Sequence, residues 1–468
     1  MDSTQFRGRN VLVMGLGVHG GGLGVVRWMA SQGANVRVTD LRDRERLREP
    51  VAALEAEGVA VEYTLGEHRE GDFEWADVVV KNPAVPNTSP WLEVARRLGK
   101  PIEMEMSIFL RLCPGPVVGI TGTKGKSTTA TWTWEMLRHW RPDALLAGNL
   151  RVSALEALPD ITAQTPVVLE LSSFQLEGLV EPRISPHIGA VTNLSPDHLD
   201  RYAGMGEYGE AKKPIFKYQQ PGDWAVLNAG HPVVSEWAEE APAGVAWFGA
   251  GVEPRAPGVF VEGGELVWHA PAGERVSLGP VSAVKVPGEH NLANAACAAA
   301  CALLAGAPAE AVRSGLESFG GVRDRLEYLA TIVGVRVYND TTSTTPASTR
   351  VALRAVQGPI ALIAGGADKR LDFAELAPDV AELAHAVVLL DGSATDLMER
   401  QFREAGARIE GRYGDLRSAV EAALRAAPEG GAVLLSPGTA SFGMFLNEFD
   451  RGDKFRAIVE SLKGRDGS

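Results

Sequence analysis

The sequence has little cysteine, no surplus of positive charge and no long hydrophobic run. Three cysteines occur among 468 residues, and none belongs to a CxxC pair. This pattern argues against a disulfide framework and favours a reducing compartment, so we expect a cytoplasmic protein. The formal net charge of −13 argues against non-specific binding to nucleic acid or to anionic membranes. Because no uninterrupted apolar run of about 18 residues is present, we expect no membrane-spanning helix.

The order of predicted strands and helices indicates an α/β fold in three domains. At roughly 150 residues per domain, the length corresponds to about three of them. Short apolar runs alternate with helical patterns, which predicts mostly parallel sheets. Residues 245–286 differ, because short alternating stretches separated by Gly and Pro predict a small antiparallel part. We place the domains at residues 1–104, 105–325 and 326–468.

Residues 119–128, with the sequence GITGTKGKST, form the most informative motif. An apolar pair precedes a glycine-rich turn, which leads into a helix predicted over residues 128–140. In such a turn the backbone N–H groups and the helix N-terminus attract phosphate oxygens. Lys126 can reach the outer phosphates, and the Ser127 hydroxyl can bind Mg²⁺. The glycines at positions 119 and 122 depart from the usual spacing, but the order of strand, turn and helix predicts a site for ATP or a similar nucleotide.

A second glycine motif follows the first predicted strand. Gly15, Gly17 and Gly20 match the pattern GxGxxG, and Asp40 ends the next predicted strand. This arrangement is typical of a dinucleotide site. Further glycines at positions 21, 22 and 24 predict a looser turn, which is equally consistent with the diphosphate of another nucleotide. The motif therefore leaves open a nicotinamide-dependent oxidoreductase and an enzyme with a different nucleotide substrate.

Polar residues end two predicted strands of the middle domain. Glu170 ends one strand, and Asp197 and His198 follow the next. Oxygen ligands and one imidazole near a phosphate loop suit Mg²⁺ or Mn²⁺, although each residue alone is more typical of a cap or a core position. The local pattern predicts that Lys212 is an exposed helix lysine and that Asn291 belongs to a helix N-terminus.

Seven segments, taken together and in this order, resemble the Mur ligase family. They are residues 119–128, 169–177, 197–202, 290–294, 325–327, 338–340 and 435–445. The resemblance covers essentially the whole chain, and the irregular spacing of the phosphate loop is also the form found in this family. It implies a Rossmann-like N-terminal domain that binds UDP, a central P-loop ATPase-like domain and a Rossmann-like C-terminal domain that binds an amino acid.

The resemblance implies an ATP-dependent amide ligase of peptidoglycan precursor synthesis. Its substrates would be UDP-N-acetylmuramoyl-L-alanine and D-glutamate, which would be joined through an acyl phosphate. It implies ATP and two Mg²⁺ ions, together with a CO₂-derived carbamate on Lys212. We expect a monomer that neither binds nucleic acid nor inserts into a membrane.

The resemblance also assigns roles to individual residues. The catalytic residues would be Lys126, Glu170, His198, Lys212 and Asn149, and the metal ligands would be Ser127, Glu170, His198 and carbamylated Lys212. ATP would be bound by Gly122, Thr123, Lys124, Gly125, Lys126, Ser127, Thr128, Asn291, Asn294, Arg325 and Asp340. The UDP substrate would be bound by Gly15, Gly17, His19, Gly20, Asp40, Arg42 and Asn82. The amino acid would be bound by Thr344, Lys369, Ser441 and Phe442.

Two departures from the family pattern concern the choice of amino acid. Thr342 stands where a lysine is usual, and Glu448 stands where an aromatic residue is usual. They leave open a related ligase that adds L-glutamate or another acidic amino acid. An oxidoreductase would leave the Gly-Lys-Ser loop unexplained, and a catalytically inactive nucleotide-binding regulator would not need the retained catalytic set.

Overall fold

Three β-sheets organise the chain. The computed structural model describes residues 3–17, 21–148, 153–198, 201–286, 288, 290–368, 371–441 and 443–463. The chain forms two units: Met1–Val281 with Leu292–Leu316, and Ser282–Asn291 with Glu317–Ser468. The first unit contains a five-stranded and a nine-stranded sheet, and the second contains a six-stranded sheet. The domain limits given above remain a proposal.

The five-stranded sheet is parallel throughout, in the order β3-β2-β1-β4-β5. Its strands are β1 (Asn10–Met14), β2 (Asn35–Asp40), β3 (Val61–Leu65), β4 (Val78–Lys81) and β5 (Ile102–Glu103). The helices of this part are α1 (Gly21–Ser31), α2 (Arg48–Ala56), α3 (Glu70–Trp75), α4 (Pro90–Arg97) and α5 (Glu105–Leu112). The apolar run of β1 is buried on both faces, as a parallel sheet covered by helices requires.

The nine-stranded sheet has the order β14-β13-β12-β11-β10-β9-β6-β8-β7. Its strands are β6 (Val117–Thr121), β7 (Leu145–Gly148), β8 (Val167–Glu170), β9 (Ile188–Val191), β10 (Trp224–Asn228), β11 (Gly244–Ala250), β12 (Gly258–Glu262), β13 (Glu265–His269) and β14 (Arg275–Pro280). The helices are α6 (Lys126–Arg138), α7 (Ala154–Ala157), α8 (Ser173–Leu176), α9 (Met205–Glu210), α10 (Pro232–Glu236), α11 (His290–Leu304) and α12 (Ala309–Ser318). The predicted antiparallel part is confirmed from β12 to β14, whereas β11 pairs parallel with β10 and β12.

The six-stranded sheet of the second unit has the order β15-β16-β20-β17-β18-β19. Its strands are β15 (Glu327–Ile332), β16 (Val335–Asn339), β17 (Ile360–Ala364), β18 (Ala384–Leu390), β19 (Ile409–Tyr413) and β20 (Ala432–Leu435). The helices are α13 (Pro346–Ala355), α14 (Ala377–Leu383), α15 (Thr395–Glu404), α16 (Leu416–Ala426) and α17 (Glu448–Lys463). Only β15 runs antiparallel to its neighbour, so the carboxyl ends of the other five strands share one edge.

The glycines at positions 21, 22 and 24 belong to α1, so the looser turn predicted from them is wrong for these residues. The small size of Gly22 and Gly24 serves close packing instead. A Cβ atom on Gly22 would lie 2.3 Å from the carbonyl oxygen of Leu16, and one on Gly24 would lie 2.4 Å from Cβ of Ser153. These glycines therefore let α1 start directly above the end of β1 and pack against the segment that leads into α7.

None of the helices within the described ranges is both long and apolar enough to cross a membrane.

Candidate active site

A cavity of about 1230 Å³ opens in the first unit, next to the carboxyl ends of strands from both of its sheets. The five-stranded part lines it with Gly15, Asp40, Arg42, His68, Asn82 and Trp91. The nine-stranded part and its approach line it with Glu105, Gly148, Ser172, Phe174, His198 and Arg201. Ligands of open α/β sheets bind at this edge of the strands. The cavity is large enough for a nucleotide-linked substrate.

The glycine loop after β1 is held in place by Asp40. Its carboxylate accepts hydrogen bonds from the backbone N–H groups of Leu16 at 3.0 Å, Gly17 at 3.3 Å and Arg42 at 2.9 Å. The side chain is almost completely buried, so its main role here is to shape the loop. Arg42 is exposed at the rim of the cavity, which leaves its guanidinium available to a ligand.

Asn82, which follows β4, forms the opposite wall of the glycine loop. A Cβ atom on Gly15 would lie 2.9 Å from Cβ of Asn82, so only glycine fits at this position. The Asn82 side-chain oxygen accepts a hydrogen bond from the N–H of Ala84 at 3.0 Å, which fixes the turn after the strand. His19 and Gly20, two other residues predicted to bind the UDP substrate, lie outside the described residues.

The phosphate loop joins β6 to α6, and the helix begins at Lys126, two residues before the predicted start. Gly122 and Gly125 have φ values of 148° and 81°, which side chains rarely tolerate. Lys126 folds back over the loop and donates hydrogen bonds to the carbonyl oxygens of Gly122 at 3.0 Å and Thr123 at 2.9 Å. Ser127 and the rest of the first helical turn provide the N–H groups and partial positive charge that favour phosphate.

Lys212 also lies at the phosphate loop, although the sequence pattern predicts an exposed helix lysine. The residue follows α9, is 1% exposed and donates a hydrogen bond from Nζ to the Gly122 carbonyl oxygen at 3.0 Å. Burial, together with the nearby charge of Lys126, lowers the pKa of Lys212 to about 7. The exposure prediction is therefore wrong, because the tertiary fold covers a lysine that local sequence places on a surface.

His198 connects the cavity to this lysine. It follows β9 with a φ of 52°, and its ring lies 4.9 Å from the Phe174 ring and 6.1 Å from the Tyr208 ring. Tyr208 also contacts Lys212, whose Nζ lies 4.4 Å from the centre of the ring. The residues His198, Tyr208 and Lys212 thus form a continuous path from the cavity wall to the phosphate loop.

Glu170 ends β8, the strand that lies between β6 and β7 in the sheet. The register pairs it with Ile120 on one side and with Gly148 on the other, and the residue is 2% exposed. Its position at the end of the strand next to β6 places it close to the start of the phosphate loop. Among the described residues, no group of three or more His, Cys, Asp and Glu side chains has a metal-binding arrangement. Asn149, the next residue after β7, lies outside the described residues.

Asn294 packs against the phosphate loop from α11. A Cβ atom on Gly125 would lie 2.5 Å from its side-chain oxygen, and Thr129 donates a hydrogen bond to the same oxygen at 3.4 Å. The prediction that Asn291 belongs to a helix N-terminus is confirmed, because α11 starts at His290. Asn291 is assigned to the second unit and is almost fully buried.

The second unit contains the remaining predicted residues. Asp340 follows β16 and is 2% exposed; it accepts hydrogen bonds from the N–H of Leu326 at 3.1 Å and from the hydroxyl of Ser436 at 2.8 Å. Burial raises its pKa to about 6. Arg325 is exposed, Thr344 is half-buried and Ser441 is buried after β20. Lys369 and Phe442 lie outside the described residues.

Several cavity residues escaped the sequence-based prediction. Arg201 stacks on Phe174 with 4.2 Å between its guanidinium carbon and the ring centre, and it is paired with Glu177 at 2.9 Å. Arg201, Phe174 and Glu177 lie in segments that carry the family resemblance. That resemblance could have identified them as residues of the site. His68 and Trp91, with ring centres 5.6 Å apart, had no such signal because each follows an unremarkable loop.

Glu105 is a further cavity residue that the sequence did not reveal. Its carboxylate accepts a hydrogen bond from the hydroxyl of Ser153 at 2.6 Å. Burial raises its pKa to about 7. The carboxyl therefore connects α5 to the segment that enters α7, at the base of the cavity.

The chain belongs to the Mur ligase family. Residues 9–103 match the MurD-like N-terminal domain of Mur ligases, residues 120–302 the Mur ligase middle domain and residues 324–439 the glutamate ligase domain of Mur ligases. Within the family the chain is of the MurD type.

Two relatives illustrate the MurD type. The chain is 50% identical to the UDP-N-acetylmuramoylalanine–D-glutamate ligase of Roseiflexus sp. (strain RS-1), over 98% of this chain and 100% of that protein. It is 39% identical to the enzyme of the same name from Symbiobacterium thermophilum, over 96% of this chain and 97% of that protein. The similarity therefore extends over nearly the full length of both relatives.

Solved structures support the fold. The UDP-N-acetylmuramate–alanine ligase MurC from Thermotoga maritima superimposes with a TM-score of 0.54 at 20% identity, over 97% of this chain and 99% of that one. A crystal structure of MurF from Acinetobacter baumannii gives a TM-score of 0.56 at 18% identity, over 92% of each chain. At these identities the match establishes the shared fold alone.

Proposed function

We propose that this protein is an ATP-dependent ligase that joins D-glutamate to UDP-N-acetylmuramoyl-L-alanine in peptidoglycan precursor synthesis. The name shared by its full-length relatives supports the substrates. The observation that carries the chemistry is the path from the cavity through His198 to Lys212 and the phosphate loop. A substrate bound along the cavity would have its reacting end beside a site for ATP.

The cavity suits the UDP-linked substrate in one orientation. We assign the diphosphate to the glycine loop at Gly15 and Gly17 and to Asn82, where the backbone can approach closely. Arg42 at the rim is assigned to the uracil end of the substrate. Asp40 contributes indirectly to substrate binding, because its carboxylate holds the glycine loop and the Arg42 backbone in place. The acyl end of the substrate then extends toward His198. His19 and Gly20 complete the proposed UDP set.

The first reaction step is the transfer of the γ-phosphoryl group of ATP. A carboxylate oxygen of the substrate forms a bond to the γ-phosphorus as the bond to the β-γ bridging oxygen breaks, which gives an acyl phosphate and ADP. Lys126, Ser127 and the amide groups of residues 122–128 would hold the phosphates and neutralise their charge. Asn294 would contact the adenine, and in the second unit Asn291, Arg325 and Asp340 are also assigned to ATP.

The residues present fit divalent cations that are bound partly through substrate phosphates. Glu170 and the Ser127 hydroxyl offer hard oxygen ligands at the loop, and His198 and Lys212 offer a second position when the lysine carries a carbamate. Bound Mg²⁺ would neutralise charge on the transferring phosphoryl group.

A carbamate on Lys212 is chemically reasonable at this position. Only a neutral amine can attack CO₂, and the buried lysine has a pKa of about 7. The new N–C bond forms as one C=O π bond of CO₂ breaks and the nitrogen releases a proton to solvent, so a neutral amine becomes an anion. This anion would attract Lys126 and would supply an oxygen ligand beside the phosphate loop.

The second reaction step forms the amide bond. The neutral amine of the amino acid attacks the acyl carbon, the bond from that carbon to the phosphate oxygen breaks so that phosphate leaves, and the nitrogen releases a proton. Asn149, together with His198, is assigned to the reacting group, and Thr344, Lys369, Ser441 and Phe442 are assigned to the amino acid. The departures at Thr342 and Glu448 leave L-glutamate or another acidic amino acid as the alternative acceptor.

A phosphate-release assay tests the proposal. The purified protein is incubated with ATP, Mg²⁺ and UDP-N-acetylmuramoyl-L-alanine, and D-glutamate, L-glutamate, D-aspartate or no amino acid is added. We expect turnover with D-glutamate and none in a Lys126→Ala variant. No turnover with any acidic amino acid would refute the ligase. Preference for L-glutamate would leave the proposed chemistry intact but would identify L-glutamate as the acceptor.

The cellular setting and assembly are part of the same proposal. We propose a cytoplasmic monomer with domains at residues 1–104, 105–325 and 326–468. Size-exclusion chromatography with light scattering should give one chain of about 49.8 kDa.

A further inference from the structure

The turn that presents Arg325 has an unusual backbone. Asp324 and Leu326, the residues on either side of the arginine, have φ values of 65° and 43°. Non-glycine residues adopt this left-handed conformation at a cost in free energy, and they retain it only where their surroundings hold them. The contacts of Asp324 and Leu326 therefore fix the backbone position from which the exposed Arg325 side chain extends.

Thr342 holds the first half of this turn. Its hydroxyl donates a hydrogen bond to the backbone carbonyl oxygen of Asp324 at 2.7 Å, and its backbone N–H donates to the same oxygen at 3.1 Å. The carboxylate of Asp324 is fixed as well, because it accepts a hydrogen bond from the side-chain amide of Asn339 at 2.8 Å. Asn339 at the end of β16 and Thr342 in the loop after it thus donate three hydrogen bonds to the residue before Arg325.

Asp340 holds the second half. Its carboxylate accepts the N–H of Leu326 at 3.1 Å, and the Ser436 hydroxyl, at 2.8 Å, fixes the other carboxylate oxygen. Asp340 is buried and cannot move freely. Residues 339–342 therefore hold both ends of the turn, and Arg325 lies between them.

We infer that Thr342 is a positioning residue, whose hydroxyl sets the direction in which Arg325 is presented to ATP. The inference rests on the proposed function, in which Arg325 binds ATP. It also explains the departure at this position. The lysine that the family pattern favours carries its donor three carbons further from the backbone, whereas the threonine hydroxyl lies where it can reach the Asp324 carbonyl oxygen.

The direct test replaces Thr342 by valine, which keeps the shape of the side chain and the backbone N–H but removes the hydroxyl. Since one neutral hydrogen bond is lost, we expect kcat/KM for ATP to fall by about 3- to 10-fold. KM for D-glutamate should stay within about twofold. Thr342→Ser should restore most of the loss. The matched control is Thr331→Val, because Thr331 is an exposed threonine of β15 in the same unit and should leave the kinetics unchanged.

A double-mutant cycle separates positioning of Arg325 from any other effect. If Thr342 acts through the arginine, Thr342→Val should change kcat/KM for ATP by less than about twofold in an Arg325→Ala background. Full additivity of the two substitutions would overturn the inference. So would a Thr342→Val variant that raises KM for D-glutamate and leaves the ATP parameters unchanged, because that result assigns the residue to the amino acid.

Amide hydrogen exchange gives a readout that does not depend on activity. Exchange in residues 322–328 should become faster in Thr342→Val and return to the wild-type rate in Thr342→Ser. Unchanged exchange in Thr342→Val would show that the Thr342 hydroxyl does not stabilise the turn. This conclusion would stand even if the wild-type protein proved to have no ligase activity. Failure of the proposed function appears instead as wild-type protein without turnover for any acidic amino acid.

Discussion

Lys212 donates a hydrogen bond from its buried Nζ to the carbonyl oxygen of Gly122, 3.0 Å away. Lys126 donates to the same oxygen, also at 3.0 Å. Two amines thus converge on one carbonyl group of the phosphate loop. Because like charges this close repel each other, the charge of Lys126 adds to the effect of burial, and together they lower the pKa of Lys212 to about 7.

Replacement of Lys212 by alanine should abolish most ligase activity. We expect a loss of about 100-fold or more in kcat, because the charge and the metal ligand proposed beside the transferring phosphoryl group are both removed. Short carboxylic acids such as acetate or formate should partly restore the rate by occupying the space of the carbamate. The measurement is steady-state phosphate release with and without added acid.

The control is Lys217→Ala on the same segment, which should retain full activity because the Lys217 side chain is about half exposed and lies outside the proposed site. Lys212→Arg provides a second comparison, since arginine keeps the positive charge but cannot form a carbamate. A fully active Lys212→Ala or Lys212→Arg variant would show that no carbamate is required.

The lowered pKa of Lys212 also predicts a dependence of stability on pH. The folded-state pKa of about 7 lies below the value of roughly 10.4 expected for an unfolded chain. Between these values the unfolded state binds more protons than the folded state, so this residue makes the free energy of unfolding rise with pH. The destabilisation that Lys212 causes is fully present below pH 7 and disappears toward pH 10.

Lys212→Met should remove that dependence. In CO₂-free buffer, the wild type should gain on the order of 1–3 kcal/mol relative to the variant between pH 6.5 and pH 9.5, as judged by urea unfolding. Parallel stability profiles for the two proteins would show that Lys212 titrates at its ordinary pKa.

The packing of α1 against the α7 segment predicts a contrast between two glycines. Gly24→Ala would place a Cβ atom 2.4 Å from Cβ of Ser153, whereas Gly21→Ala meets nothing within 4 Å. We expect Gly24→Ala to destabilise the protein by about 1–3 kcal/mol, because overpacking exceeds the gain in helix propensity. Gly21→Ala should be neutral or slightly stabilising. Equal melting temperatures for both variants would contradict this view of the interface.

The phosphate loop and the alternation of strands and helices could be predicted because they depend on local sequence. Gly122, Gly125 and Lys126 follow an apolar strand, and their conformations are set within a few residues. The strand end at Glu170 was predictable for the same reason. The polar residue at the end of a buried apolar run marks the edge of the sheet where ligands bind.

Burial and partners across the chain could not be predicted locally. The burial of Lys212 depends on Gly122, ninety positions earlier in the chain, and on the Tyr208 ring. Asp40 has the sequence position of a ligand-binding carboxylate, but its oxygens are used by backbone N–H groups of the glycine loop. At Thr342 the sequence showed only that the usual lysine is missing. The role proposed for the threonine depends on its contact with Asp324, which only the structure shows.

The aromatic wall formed by Trp91 and His68 predicts that the nucleotide end of the cavity depends on Trp91. The Trp91 ring stacks on Phe73 with 5.6 Å between their centres and faces the cavity, so its removal would take away a large apolar surface. Trp91→Ala should raise KM for UDP-N-acetylmuramoyl-L-alanine about 10-fold and leave KM for ATP within about twofold, and Trp91→Phe should lie between. Trp140→Ala, at an exposed tryptophan outside the cavity lining, is the control. An equal rise in both KM values would indicate general destabilisation instead of loss of a wall of the nucleotide site.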